Sequence, residues 1–502
     1  MRQILFCFLS AVLFFSCKQK EQSRPNIVII LADDLGYGDP QIYNSESKIP
    51  TPNIDQLARA GMRFTDAHTP SSVCTPTRYG LLTGRYAWRT ALKSSVLWTW
   101  DPPLIAKDRL TIPKMLKKQN YHSACIGKWH LGWRWASKYG NHYANDSLKI
   151  GVRSFEGRHD LWKQIDLSAP IGGGPLEAGF HYYFGDDVPN FAPYTFFENN
   201  QLLAYPGSIK PDTMFGNPGP MVEGWDLEQV MPAITEKAVE YIQEQAQESR
   251  PFFLYFSLTA PHTPIAPTKE FQGKSEAGLY GDFVHEVDWS VGQVVEALQQ
   301  SGVWENTLLI FTSDNGSPQR DGSKMNGKTG SVKAYGHNPS RPWKGMKGDI
   351  WEGGHRVPFI VSWPEQIQAG QVTHQLIGQT DIMATLADIL GVNTESGSME
   401  DSQNFSSLLF GNQSLVRESI FHHSLNGTFA IRKGDWKLIL GKDSGGFSRG
   451  LEIEGIPVET EGQLYNLKED PGESNNLYAS SPAKVEELLG IYLQEGLEVP
   501  EG

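Results

Sequence analysis

The sequence predicts an α/β protein: a central mixed, mostly parallel sheet flanked by helices, followed by a smaller C-terminal domain with an antiparallel sheet and a helix. Three observations predict it. Four short runs rich in Ile, Val, Leu and Phe end abruptly in polar residues, as strands buried on both faces of a parallel sheet do. Within residues 379–390 the apolar Ile382, Met383, Leu386, Ile389 and Leu390 fall at helical spacing, and Gly391 is placed to stop that helix. Beyond the polar residues 393–402, three short segments read as antiparallel strands. The 502 residues suffice for one large domain and a smaller one.

Taken in order, the chain opens on a secretion signal. Arg2 carries the positive charge, and residues 4–15 are apolar but too few to span a bilayer. Phe14-Phe15-Ser16-Cys17 resembles a bacterial lipobox, with Phe14 in place of the usual leucine. Cys17 is therefore expected to carry a lipid anchor, with residues 18–24 as a tether, on a periplasmic or outer-membrane protein of a bacterium. Plain signal cleavage is the alternative.

The main domain is expected over residues 25–392. Its first strand, residues 26–31, runs into Asp33-Asp34. The second, residues 121–126, runs into Gly127-Lys128-Trp129-His130. The third, residues 252–258, runs into Ala260-Pro261-His262-Thr263-Pro264, and the fourth, residues 308–311, into Asp314-Asn315-Gly316. Ligands of open α/β sheets bind outside the carboxyl ends of the strands, so these polar ends are expected to converge. Residues 131–225 form a long insertion between core strands, rich in Trp, Tyr, Gly and Pro. Residues 393–502 complete the chain, with strands expected at 428–432, 436–440 and 463–467 and a helix at 482–494.

Two clusters carry chemistry. In Cys74-Thr75-Pro76-Thr77-Arg78, proline suits a first helical turn, which puts Cys74 just before a helix start and Arg78 one turn on, facing the same side. That suits a nucleophile acting on an anionic ester. Asp33, Asp34, Asp314 and Asn315 offer only oxygen, and like charges gathered at one sheet edge call for a cation. Flexible oxygen ligands favour calcium over magnesium, and zinc lacks its ligand spacing here.

The run Cys74 to Arg78, followed by Leu82-Thr83-Gly84-Arg85, resembles the C-x-P-x-R…L-T-G-R signature of the type I sulfatases of the alkaline phosphatase superfamily. Gly127-Lys128-Trp129-His130, Pro261-His262-Thr263-Pro264 and the run from Lys347 to Pro358 resemble further elements of that family, in its order. The resemblance implies an alkaline-phosphatase-like fold and a sulfuric ester hydrolase. It implies that a maturase converts Cys74 to formylglycine, and that Asp33, Asp34, Asp314, Asn315 and residue 74 bind one calcium ion. It further implies that a hydroxyl of the hydrated formylglycine attacks sulfur, with Lys128 and Lys347 on the sulfate oxygens and Arg78 on the second hydroxyl. His262, with Lys347, would protonate the leaving oxygen, and His130 would deprotonate the remaining hydroxyl to expel sulfate. Two alternatives stay open: a phosphonate monoester or phosphodiester hydrolase sharing the signature, and a non-catalytic lipoprotein that binds sulfated glycans.

The remaining features limit the substrate. A net charge of −13 argues against nucleic acid and against a broad basic groove. Of the four cysteines, Cys7 lies in the signal, Cys17 at the lipobox and Cys74 at the nucleophile, so Cys125 has no partner for a disulfide. Residues 322–329 fit a phosphate-loop pattern, but neither a strand directly before nor a helix directly after is expected, residues 330–339 reading as loop. Long loops on a rigid sheet carry specificity, so Asp186, Asp187 and Asn190 of the insertion, with His337, are candidates to bind sugar hydroxyls. The overall resemblance to arylsulfatase A and N-acetylgalactosamine-6-sulfatases implies a sulfated galactose or N-acetylgalactosamine substrate.

Overall fold

The computed structural model describes residues 24–152, 157–412, 414–448 and 461–496. The expected signal, Cys7 and Cys17 lie outside the described residues. Ten strands form the central sheet: β1 (Asn26–Ala32), β2 (Met62–Phe64), β3 (His122–Gly127), β4 (Tyr182–Gly185), β5 (Phe197–Glu198), β6 (Gln201–Leu202), β7 (Phe252–Ser257), β8 (Thr307–Ser313), β9 (Phe359–Ser362) and β10 (Gln371–Thr373). Across the sheet they run β10-β2-β9-β8-β1-β7-β3-β4-β5-β6. The pairs from β8 to β4 are parallel, while β9 is antiparallel to β8 and to β2.

The continuous apolar composition of β1 follows from burial on both faces. Ile27, Ile29 and Leu31 share one core with Tyr79 and Leu82 of α2 (Cys74–Thr83) and Ile382 and Met383 of a helix at Asp381–Ile389. Val28 and Ile30 share the other with Ile54 of α1 (Pro52–Ala60), Ile234 of a helix at Val230–Gln245 and Val284 of one at Gly278–Gln300. Each such side chain contributes about 1.5–3 kcal/mol on burial. The register is what positions the site. Ala32 lies opposite Ser313, Leu31 opposite Ser257, and Ser257 opposite Gly127. The residues that follow these strand ends, Asp33, Asp314 and Lys128, therefore emerge side by side.

The C-terminal sheet has four antiparallel strands, Ser419–His423, Phe429–Lys433, Trp436–Ile439 and Gln463–Asn466, with a helix at Pro482–Gln494. Phe421, Ile431, Leu438, Leu488 and Tyr492 pack there against Tyr86 and Trp88 of the main body.

Three expectations change. The insertion is not only loop, because Tyr182–Gly185 is itself a parallel core strand beside β3. Ser419–His423 was not anticipated. Residues 330–339 do contain a helix, Ser331–Tyr335, closed by Gly336 at φ +66. No strand leads into residues 322–329, however, so the phosphate-loop context is absent. Among the described residues no helix is long and apolar enough to cross a membrane.

Candidate active site

α2 begins at Cys74, with Val73 as its N-cap, so Cys74 is the first helical residue and not the one before it. Its Sγ lies 3.5 Å from Lys347 Nζ, 3.7 Å from Asp33 Oδ1 and 4.0 Å from Asp34 Oδ1. Burial, with Asp314 close by, pushes the thiol up to about 12. A thiolate is the reactive form of cysteine, so the encoded side chain is a poor nucleophile at neutral pH.

Around it every carboxylate meets a cation, and Arg78 reaches Asp33 Oδ1 at 3.4 Å as well as Asp314. Lys128 Nζ donates to Asp33 Oδ2 at 2.7 Å and Oδ1 at 2.9 Å. Lys347 Nζ lies 2.6 Å from Asp34 Oδ1 and 2.8 Å from Oδ2. Arg78 donates from Nε and Nη2 to Asp314 Oδ2 at 2.9 and 2.7 Å, and its Nη1 bonds Ser257 Oγ. The expectation of uncompensated like charges is thus corrected: each carboxylate already meets a cation, because an unpaired buried charge costs several kcal/mol. Burial disfavours charge on Lys128 and Lys347, but the neighbouring aspartates outweigh it and raise both. Asn315 Nδ2 donates to Asp34 Oδ1 at 2.7 Å, while Asn315 Oδ1 is buried without a partner among the described residues. Asp33, Asp34, Cys74 and His262 present ligand atoms within 4.8 Å of one another.

The histidines are oriented by carbonyls. His130 Nε2 bonds Leu97 O at 2.9 Å, so it carries the proton and leaves Nδ1 as the lone pair, buried and without a partner among the described residues. His262 Nδ1 bonds Thr263 O, and its Nε2 faces Asp34 Oδ2 at 3.8 Å. Burial holds both imidazoles well below the ordinary value, with Lys347 adding to the effect on His262 and Lys128 on His130. Asp34 and His130 hold φ of +71 and +54, strained values for residues other than glycine.

The sugar-binding candidates divide. Asp187 Oδ1 accepts the His130 N–H at 3.1 Å and so shapes the wall beside that imidazole. Asp186 is buried with Oδ1 unpartnered among the described residues, and burial together with Asp187 raises it to about 7. Asn190 Oδ1 is likewise buried and unpartnered among the described residues. His337 is a correction: its side chain is fully buried and Nε2 bonds Asp39 at 2.8 Å, which removes it from the groups open to a sugar. Ser257 and Thr75 were missed. Thr75 Oγ1 donates to His130 O at 3.1 Å and accepts the Leu97 N–H at 3.1 Å. Nothing local marks either residue, since their partners lie far away in the chain.

The model of the family described as "Sulfatase" matches residues 25–392. The chain belongs to the sulfatase family. A second model, described as the N-sulphoglucosamine sulphohydrolase C-terminal region, matches residues 346–495 of this sulfatase. A Bacteroides thetaiotaomicron protein named N-acetylgalactosamine-6-O-sulfatase is 32% identical, with 95% of each chain covered. Human arylsulfatase A is 30% identical, with 93% of this chain and 85% of its own covered. A solved Bacteroides thetaiotaomicron structure, described under the metabolism of multiple glycosaminoglycans, superposes with a TM-score of 0.77 at 29% identity, covering 94% of this chain and 99% of that one. This protein is therefore a sulfuric ester hydrolase on an α/β scaffold with a C-terminal antiparallel sheet.

Proposed function

We propose that this sulfatase hydrolyses a sulfate ester on a galactose or N-acetylgalactosamine unit of a glycan, with a formylglycine derived from Cys74 and one calcium ion held by Asp33, Asp34, Asp314, Asn315 and residue 74. The observation that carries the reading is the charge balance of the pocket. Three buried carboxylates face three buried cations, so the pocket is neutral as built. A divalent cation would then be offset by a sulfate monoester and one ionised hydroxyl. The donors fit calcium: all are oxygens, and Asn315 Oδ1 is buried with no other partner among the described residues. When bound, calcium lowers the pKa of a hydroxyl on the hydrated formylglycine, which makes that oxygen a nucleophile at neutral pH.

The chain's own residues do the rest. Lys128 and Lys347 bind the sulfate oxygens and offset their charge as it redistributes. Arg78, braced by Asp314 and Ser257, orients the oxygens on residue 74. His262, beside Lys347, protonates the leaving sugar oxygen from Nε2 after taking up a proton there as the anionic ester binds, since the bond of its Nδ1 to Thr263 O leaves Nε2 as the lone pair beforehand. His130 takes up a proton at Nδ1, the nitrogen that its bond to Leu97 leaves free. Asp186 and Asn190 receive sugar hydroxyls, and Asp187 holds the His130 backbone in place.

The sugar class rests on relatives named N-acetylgalactosamine-6-O-sulfatase in Bacteroides thetaiotaomicron and N-acetylgalactosamine-6-sulfatase in the rat. Export with a lipid anchor at Cys17, activation by a formylglycine-generating maturase, and a boundary between residues 392 and 393 complete the proposal. Sulfate release from defined sulfated galactose, N-acetylgalactosamine and glucosamine sugars tests it. Preference for the first two is expected, and preference for glucosamine sulfates overturns the substrate class.

A further inference from the structure

We propose that Trp98 is the platform on which the sulfated sugar stacks, and that it favours a galacto-configured ring. The inference rests on the reading of the site above and names a contact that reading does not include.

The segment carrying Trp98 is tied to the reaction centre on both sides. Leu97 O holds His130 Nε2 at 2.9 Å, and Leu97 N–H is held by Thr75, the neighbour of Cys74. Trp98 N–H donates to Asp101 Oδ2 at 2.9 Å, and Asp101 Oδ1 pairs with Arg158 at 2.6 Å. Asn217 Nδ2 bonds Thr99 Oγ1 at 3.0 Å, joining this segment to the insertion. Ser95 and Trp100 hold φ of +66 and +72, so the backbone is fixed in a form that side chains other than glycine rarely adopt. Leu97, Thr99 and Trp100 are buried, yet Trp98 between them is partly exposed. Its ring lies 6.1 Å from Phe191 at 31°, and Phe191 meets His130 edge-on at 5.8 Å. An aromatic wall thus runs from the imidazole to a rigidly mounted, partly exposed Trp98.

The axial O4 of a galacto-configured sugar leaves the hydrogens of C3, C4 and C5 on one face, a continuous apolar patch. A gluco-configured ring alternates them between faces. A flat indole beside the sulfate pocket therefore discriminates the two rings through the apolar face, without a charged contact.

The test is steady-state sulfate release by matured protein from 6-sulfated N-acetylgalactosamine and 6-sulfated N-acetylglucosamine, for wild type, Trp98→Ala and Trp98→Phe. Trp98→Ala is expected to raise KM for the galacto sugar about 5- to 10-fold, with kcat much less affected, and to shrink the galacto-over-gluco ratio. Trp98→Phe is expected to recover most of the difference, which separates stacking from misfolding. A wild-type preference for the galacto sugar that survives unchanged in Trp98→Ala overturns the platform and leaves the substrate class standing. A wild type that prefers the gluco sugar overturns the substrate class and the platform together.

Discussion

Lys128 Nζ lies 2.7 Å from Asp33 Oδ2, with both side chains fully buried. Lys347 stands in the same relation to Asp34, and Arg78 to Asp314. The carboxylates of the pocket are thus offset by cations of the chain itself. Chelation is accordingly expected to abolish turnover while lowering Tm by only a few degrees, and calcium to restore activity. Calcium should also raise Tm with concentration, as binding to the native state alone requires. Activity assays and thermal melts across a calcium titration check this, and restoration by zinc but not calcium would contradict the ligand assignment.

Gly127 explains why a glycine precedes Lys128. It holds φ +103, and a Cβ there would stand 1.9 Å from the Ser257 carbonyl oxygen. Ser257 is backbone in the next strand and cannot yield cheaply. Gly127→Ala is expected to cost several kcal/mol of stability and to displace Lys128, with loss of most kcat/KM. Urea unfolding and kinetics on the same preparation test both.

The four core strands and the last helix were legible because long apolar runs and helical spacing are local signals. The convergence at the strand ends was legible because parallel sheets align those ends. Tyr182–Gly185 was not: four residues, half of them tyrosine, carry too little pattern inside a long insertion. The buried place of His337 was invisible because its partner, Asp39, lies 298 positions away. The pairing of Asp33, Asp34 and Asp314 with Lys128, Lys347 and Arg78 was also hidden, since sequence gives the charges but not their distances.

Glu352 joins the main body to the C-terminal sheet. Its Oε1 accepts from Lys437 at 3.0 Å and its Oε2 from Arg356 at 3.1 Å, and its side chain is fully buried. Burial alone would raise its carboxyl, but Lys437 and the surrounding basic groups hold it well below the usual range. A depressed native pKa gives stability that is present above the unfolded value and lost as pH falls. Glu352→Gln is expected to cost about 3 kcal/mol near pH 7 by urea unfolding. The gap should close as the wild type is taken below its unfolded value of 4.5.

Glu286 predicts the opposite slope. It is buried in the helix Gly278–Gln300, with Oε2 accepting the Thr268 N–H and Oε1 unpartnered among the described residues, and burial raises it to about 8. Between its unfolded value of 4.5 and about 8 the native state binds the extra proton, so stability falls as pH rises. Glu286→Gln is expected to flatten that decline and to be the more stable protein at pH 8. Unfolding midpoints measured from pH 5 to about pH 8 read the difference.

The rate of sulfate release from a sulfated galactosamine, as a function of the fraction of residue 74 converted to formylglycine, tests the nucleophile most directly. Peptide mass spectrometry gives that fraction in samples expressed with and without a maturase. The rate is predicted to rise in proportion to the converted fraction and to vanish in Cys74→Ala. Full turnover by protein whose Cys74 is still a thiol would contradict the account.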